Sequence, residues 1–320
     1  MDVEQYRTEL FNALDTIFEA VSKTIHLAKI LDSEWYERIK HGITTASLVP
    51  HFACDSALMF FELRHWLRGD PTFETGQELL FQGKIEEANE EQKRALWLFG
   101  PDPLRILLPP MEERLAAFSA LPFKQKEIQG KLKQLRDHRF SVNFRNHMFE
   151  VLVLGFFAKE GILTDIEIPV GNGGSTVDAT IELDNRPIYV EATYTSQEIL
   201  QPLTQPVEVM AYSLEPMIDQ VVSKTVAKVN SAKQLALVND TPTILVVGRN
   251  FFGADDIATQ EAVQRCFQAD EFRNLSGFIS STNWHFTRME FFHSTNATFP
   301  LNEKEKQKIR DLKPGLVVIQ

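Results

Sequence analysis

Residues 175–194 read STVDATIELDNRPIYVEATY, and their alternation decides how the second half of the chain folds. Successive side chains of a strand point to opposite faces. Over 175–183, Val177, Ala179, Ile181 and Leu183 share one face, while Asp178, Thr180 and Glu182 share the other. Over 188–194, Ile188, Val190, Ala192 and Tyr194 share one face, and Tyr189, Glu191 and Thr193 the other. Asp184-Asn185-Arg186-Pro187 supplies the turn chemistry between them. With a two-residue loop at Asp184-Asn185, position i pairs with 369 − i and Asp178 lies opposite Glu191. A four-residue loop keeps the parity and moves the partner to Thr193. In either register the two carboxylates lie within reach of one ion. Opposed carboxylates about 5 Å apart are destabilising unless something neutralises them. Mg²⁺ does so with one or two protein carboxylates, completing its shell with water and phosphate oxygens. The competing reading is a solvated hairpin face; Tyr189 on that face, and helices on both sides in sequence, favour a covered cleft.

Working outward, Asn143 to Lys159 has the apolar density of a buried helix, and Gly161 closes it at the C′ position. Residues 165–170 alternate as a strand, and Gly171-Asn172-Gly173-Gly174 turns the chain into the next. A glycine run between two strands is a hairpin, not the strand-to-helix phosphate loop of nucleotide-binding folds. Further on, a long helix is expected over 213–237, a buried strand over 243–248, a helix over 255–268, and strands over 276–280 and 287–293. From Val3 to about Arg139 the periodicity is helical throughout. Leu10, Phe11, Leu14, Ile17, Phe18 and Val21 form one stripe. Residues 57–67 are apolar nearly all round. Pro101, Pro103 and Pro109-Pro110 punctuate the chain before helices over 111–121 and 123–139. The expected fold is therefore α/β (α+β), with an all-helical domain over 1–138 and a sheet-bearing domain over 139–320.

The chain has 320 residues, about two domains' worth. Hydrophobic residues at 43% and charged residues at 24% are ordinary for a globular protein and exclude general disorder. Its formal net charge of −11 argues against a nonspecific nucleic-acid coat, so any phosphate contact needs a local basic patch or a metal ion. Lys124 to His147 supplies a patch, with seven basic residues against Glu127 and Asp137, an excess of +5. Lys131, Lys133, Arg136, Arg139 and Arg145 within it are candidate backbone-phosphate contacts, and a helix face balancing the acidic body is the alternative. Cys54 and Cys266 stand far apart with no ligand-spaced partner, and neither a signal core nor a bilayer-length apolar run occurs. A soluble, cytoplasmic protein without a membrane role is expected. The eight histidines show no metal-ligand spacing, and no serine sits in a nucleophile elbow.

A helix bearing an acid (Glu150), a strand pair with Asp178 before its turn, and Glu191-Ala192-Thr193 on the next strand resemble the PD-(D/E)XK nuclease superfamily. Its restriction-endonuclease-like core runs helix, three-stranded meander, helix, strand, and residues 143–248 follow that order, about half the chain counted with its flanks. The resemblance implies a mixed sheet flanked by helices and a Mg²⁺- or Mn²⁺-dependent endonuclease. It implies that Asp178 and Glu191 hold the metal with Glu150 assisting, that nucleic acid, DNA first, is the substrate, and that defence against foreign DNA or repair is the setting. A homodimer, or a partner held by the helical domain, suits such an enzyme. The departure is Thr193, where the family carries Lys to position the attacking water. On the helix over 213–237, Lys228 projects about 60° and Lys224 about 100° from the apolar stripe, so these are the candidate replacements. The alternative is a catalytically inactive nuclease-like fold that binds nucleic acid or serves assembly.

Overall fold

The computed structural model describes residues 3–45, 87, 103–141, 143–170, 175–195, 241–249, 255–281, 286 and 289–314. The apolar segment 57–67, Cys54, and the helix expected over 213–237 with Lys224 and Lys228 lie outside the described residues. Among the described residues the fold is mixed α/β, with eight helices and a six-stranded sheet. None of those helices is long and apolar enough to cross a membrane. Two compact units divide the chain: 1–113 with 132–145, and 114–131 with 146–320. This division differs from a single boundary at 138/139, because 114–131 belongs with the sheet. The change of periodicity marks where strands begin, and says nothing about which unit a preceding helix packs into.

In the first unit, α1 (Val3–Ser22) lies against α2 (Leu27–Ile30) and α3 (Ser33–Thr45). Leu14, Ile17 and Val21 of the expected stripe are all buried, as are Trp35, Ile39 and Ile43. The stripe exists because residues three and four apart share one side of a 3.6-residue helix. Helix α2 starts under a borrowed cap. Glu112 accepts hydrogen bonds from the N–H groups of Ile25 and His26 through Oε1 (2.9 and 2.8 Å) and from Leu27 through Oε2 (3.1 Å). It also meets His26 Nδ1 at 2.8 Å. Burial raises the Glu112 pKa, but the bonds from His26 and the backbone N–H groups outweigh it and leave the carboxyl below its usual value. A depressed carboxylate stabilises the fold above the unfolded-state value of 4.5, and that stability is lost as pH falls through the folded-state value. Glu112→Gln should therefore cost about 1.5–3 kcal/mol at neutral pH, the scale of hydrogen bonds to a charged group. Urea unfolding at descending pH should show the gap between the two proteins closing below about 4.5; a constant gap would refute the charged cap.

Helix α4 (Pro103–Ser119) corrects one sequence expectation, since it begins at Pro103 and runs through Pro109-Pro110 without stopping. Pro103 suits the first helical position. The two internal prolines forfeit backbone bonds; burial of Leu108, Met111, Leu115 and Phe118 along the same helix opposes that loss.

The second unit is built on the sheet β1 (Leu163–Val170), β2 (Ser175–Leu183), β3 (Arg186–Thr195), β4 (Thr243–Arg249), β5 (Gly277–Ser281) and β6 (Glu290–His293), in that spatial order. β1–β2–β3 is an antiparallel meander, β3–β4 and β4–β5 are parallel, and β6 returns antiparallel. The hairpin follows the two-residue loop: Ala179 faces Val190, Thr180 faces Tyr189, and Ile181 faces Ile188. Asp184 and Asn185 both have positive φ (52° and 61°), the requirement of a two-residue turn whose twist matches its strands. Val177, Ala179, Ile181, Leu183, Ile188, Val190, Ala192 and Tyr194 are all buried, as the alternation requires.

Helix α5 (Gln125–Asp137) precedes α6 (Phe144–Lys159), which is buried over most of its length. Gly161 (φ 71°) ends α6: its N–H donates to Ala158 O (3.0 Å) and that of Ile162 to Phe157 O (3.1 Å). This pair of bonds is the Schellman closure expected from the glycine. On one side of the sheet, Leu245, Val247 and Phe278 pack with Val263 and Cys266 of α7 (Asp255–Gln268) and with Phe272 and Leu275. Phe149 of α6 lies against Tyr194, Phe286 and the bare backbone of Gly248. The last helix, α8 (Glu303–Asp311), opens with a reciprocal capping box between Asn302 and Glu305.

Candidate metal centre

The meander does not stay paired along its whole length. β2 remains bonded to β1 as far as Ser175, and β3 to β4 as far as Thr195, while the β2–β3 ladder extends only to Ala179–Val190. Beyond that pair the strands separate into a fork, and the β3 N–H groups on the open side need new acceptors. Side chains supply them. Asp178 Oδ2 accepts the Ala192 N–H at 2.8 Å, and Asn146 Oδ1 of α6 accepts the Tyr194 N–H at 3.0 Å. Across the fork, Glu191 Oε2 accepts the Asp178 N–H at 3.3 Å. Asp178 and Glu191 thus face each other where the register places them, each tied to the other's strand. Thr193 is buried, and its hydroxyl donates to Asn146 Oδ1 at 3.5 Å.

Two further acids converge there. Glu150 lies one helical turn beyond Asn146, so both address the fork from one edge of α6. Glu167 is the residue of β1 between Ile166, opposite Ala179, and Ile168, opposite Val177. One ligand oxygen from each of Glu150, Glu167 and Asp178 lies within 4.8 Å of the others. Glu191, expected to share the ion with Asp178, is absent from this convergent set: its Oε2 turns to the Asp178 backbone, and Glu167 takes the third place. Glu167 has φ 48°, a left-handed conformation costing a residue with a Cβ about 1–2 kcal/mol. Its surroundings hold it so. Thr176 Oγ1 donates to Glu167 Oε2 at 2.7 Å, and Lys124, ion-paired with Asp165 at 2.9 Å, donates to the Glu167 carbonyl at 3.3 Å.

Among the described residues, the buried cation at the site is Lys131. It is 8% exposed, and its ammonium forms ion pairs with both Glu150 and Glu167. Burial alone would lower the Lys131 pKa, but the charges of Glu150 and Asp178 and the bonds to Glu150 and Glu167 overcome it and raise the value well above normal. Glu167 moves the opposite way: burial raises its pKa, and Lys131, Thr176 and Lys124 bring it below the usual carboxylate range. Among the described residues, the carboxylates of Glu150, Glu167, Asp178 and Glu191 and the ammonium of Lys131 meet at the fork. An all-oxygen carboxylate set is the donor chemistry of Mg²⁺ or Mn²⁺, so Glu150, Glu167 and Asp178 fit such an ion.

The basic run does not form one solvent-facing track. Lys131, Arg139 and Arg145 are buried. Lys131 neutralises the fork, and Arg139 pairs with Asp32 and Glu34 inside the helical unit. Arg136 is about half exposed but pairs with Asp32 at 3.2 Å, and Lys133 faces solvent. Pattern reading missed Lys131, Glu167 and Asn146 as parts of the site. One signal was present for Lys131: it lies three residues after Ile128 and four before Leu135, on the buried stripe of α5. A charge at a core position needs a partner.

Comparison of the chain with protein-family models, with curated proteins and with solved structures returns no match.

Proposed function

We propose that this chain is a metal-dependent phosphodiester hydrolase acting on nucleic acid, DNA first, with a restriction-endonuclease-like core. The observation that carries the proposal is the convergence of Glu150, Glu167 and Asp178 at the β2–β3 fork beside a buried lysine. The strand order and the bond that joins Asp178 to Glu191 across the fork support it further. Glu150, Glu167 and Asp178 would hold a divalent ion, which would supply Lewis-acid polarisation of a phosphate oxygen and a lowered pKa of bound water. The chain's own residues do the rest. Asp178 is oriented by the Ala192 N–H and Glu191 by the Asp178 N–H, so neither carboxylate has to reorganise. Glu150 is held by a helix anchored in the core, and Asn146 and Thr193 close the open side of β3 where the family carries its lysine. Lys131 places a positive charge at the fork through its pairs with Glu150 and Glu167, where Thr193 has none. Defence against foreign DNA or repair is the setting we assign, and a dimer suits cleavage of two strands.

The test is cleavage of labelled single- and double-stranded DNA and RNA by the full chain with Mg²⁺ or Mn²⁺ and with chelator, in parallel with Asp178→Asn. Metal-dependent cleavage lost in the variant supports the reading. Cleavage indifferent to both chelator and substitution refutes it. A second reading, a nuclease-like fold that only binds nucleic acid, is favoured by Thr193 and by the internal neutralisation of Glu150 and Glu167 by Lys131. It predicts metal-independent nucleic-acid binding without cleavage.

A further inference from the structure

We infer that Lys131 is a resident counter-cation of the fork, and that a divalent ion binds there in competition with it. The inference rests on the metal reading of the site. Lys131 reaches the fork from α5, outside the meander and outside α6, and it is 8% exposed. Its ammonium contacts Glu150 Oε1 and Glu167 Oε1, on two different elements. Those two residues supply two of the three convergent ligands. Metal–oxygen distances for Mg²⁺ are about 2.0–2.1 Å, so an ion bound to the same oxygens would sit almost in contact with the lysine nitrogen. Two cations so close in a covered site repel strongly. The four-carbon stem of a lysine has rotatable freedom to withdraw, but the helix stripe that carries it does not move with the ammonium. Metal entry therefore requires Lys131 to leave Glu167, Glu150 or both. The metal-free fold is correspondingly stabilised by its own side chain.

The experiment is calorimetric titration of Mn²⁺ and of Mg²⁺ alone into the full chain, as wild type, as Lys131→Met and as Lys131→Met with Asp178→Asn. Lys131→Met is expected to bind the metal at least tenfold tighter than wild type, and the double variant to lose that gain. Thermal melts should agree: without metal Lys131→Met melts below wild type, and Mn²⁺ raises its melting temperature by more than it raises that of wild type. If Lys131→Met does not fold without metal, Lys131→Gln, which keeps a donor for the same carboxylates, carries the same comparison. Equal or weaker metal binding by the variant overturns the inference while binding by wild type leaves the metal-dependent reading standing. Binding by the variant with none by wild type upholds the inference and removes that reading. Binding by neither removes both.

Discussion

Asp178→Asn is expected to lower Mg²⁺- or Mn²⁺-dependent phosphodiester cleavage by about 10²-fold or more, with the fold intact. An ion that polarises the phosphate contributes several kcal/mol to the transition state, and each 1.36 kcal/mol is about tenfold in rate. The asparagine keeps an oxygen for the Ala192 N–H now bonded to Asp178 Oδ2 at 2.8 Å, so the fork retains its backbone acceptor and loses only a charge. Alanine would remove both and confuse the result, because the Ala192 N–H would lose the carboxylate oxygen that satisfies it. Glu191→Ala, which removes the acceptor of the Asp178 N–H, separates a different contribution. Glu191 stands behind Asp178 and accepts its N–H, an orienting position whose loss typically costs about 10–100-fold at a metal site. The two substitutions should combine less than additively, because residues acting as one unit do not contribute independently. Single-turnover cleavage at saturating metal, with far-UV circular dichroism on the same samples, provides the check. Asp178→Asn with wild-type cleavage rates would end the metal-centre assignment.

Gly155→Ala is expected to destabilise the sheet-bearing unit by about 3 kcal/mol, the upper part of the range for inserting atoms into a packed interior. A Cβ on Gly155 would lie 2.3 Å from the carbonyl oxygen of Arg114 and 2.8 Å from its carbonyl carbon. Both are backbone atoms of α4, so no side-chain rotation relieves the overlap; one helix must move. That helix is committed elsewhere. Arg114 is buried, donates to the Pro314 carbonyl, and sits over the rings of Phe156 and Phe286 at 5.4 and 5.8 Å. Gly130→Ala is the natural control, since a Cβ there meets nothing within 4 Å and Gly130 is exposed within α5. Replacing a mid-helix glycine with alanine should stabilise by up to about 1 kcal/mol. Thermal melts of the two variants should therefore shift in opposite directions; a Gly155→Ala protein melting with wild type would refute the close helix approach.

By itself the sequence determined the local geometry of the meander and of the helix before it. Alternation with period 2 marks the apolar face, which is buried throughout, although Thr180, Glu191 and Thr193 on the other face are buried as well. Asp184-Asn185 is a pair that tolerates positive φ, so the parity of the hairpin was legible, while the choice of the two-residue over the four-residue loop came from the structure. Gly161 fixed the end of α6 for the same local reason, a backbone conformation that residues with a Cβ adopt at a cost. Other features were not legible. Nothing in 175–194 says that β2 leaves β3 beyond Ala179, because that separation follows from each strand's loyalty to its outer neighbour, β1 or β4. Pro109-Pro110 reads as a stop, and only packing of the residues around it carries α4 through. The stripe position of Lys131, with Ile128 and Leu135, hints at burial, but which carboxylates its ammonium meets, Glu150 lying 19 residues away, is not written there. Glu167 alternates as an ordinary strand residue until Lys131 and Thr176 hold its carboxylate in the fork. Local patterns record which side of an element is apolar. Which charges meet across elements is decided by the fold, because a buried ionic group is tolerated only where long-range packing brings its counter-charge.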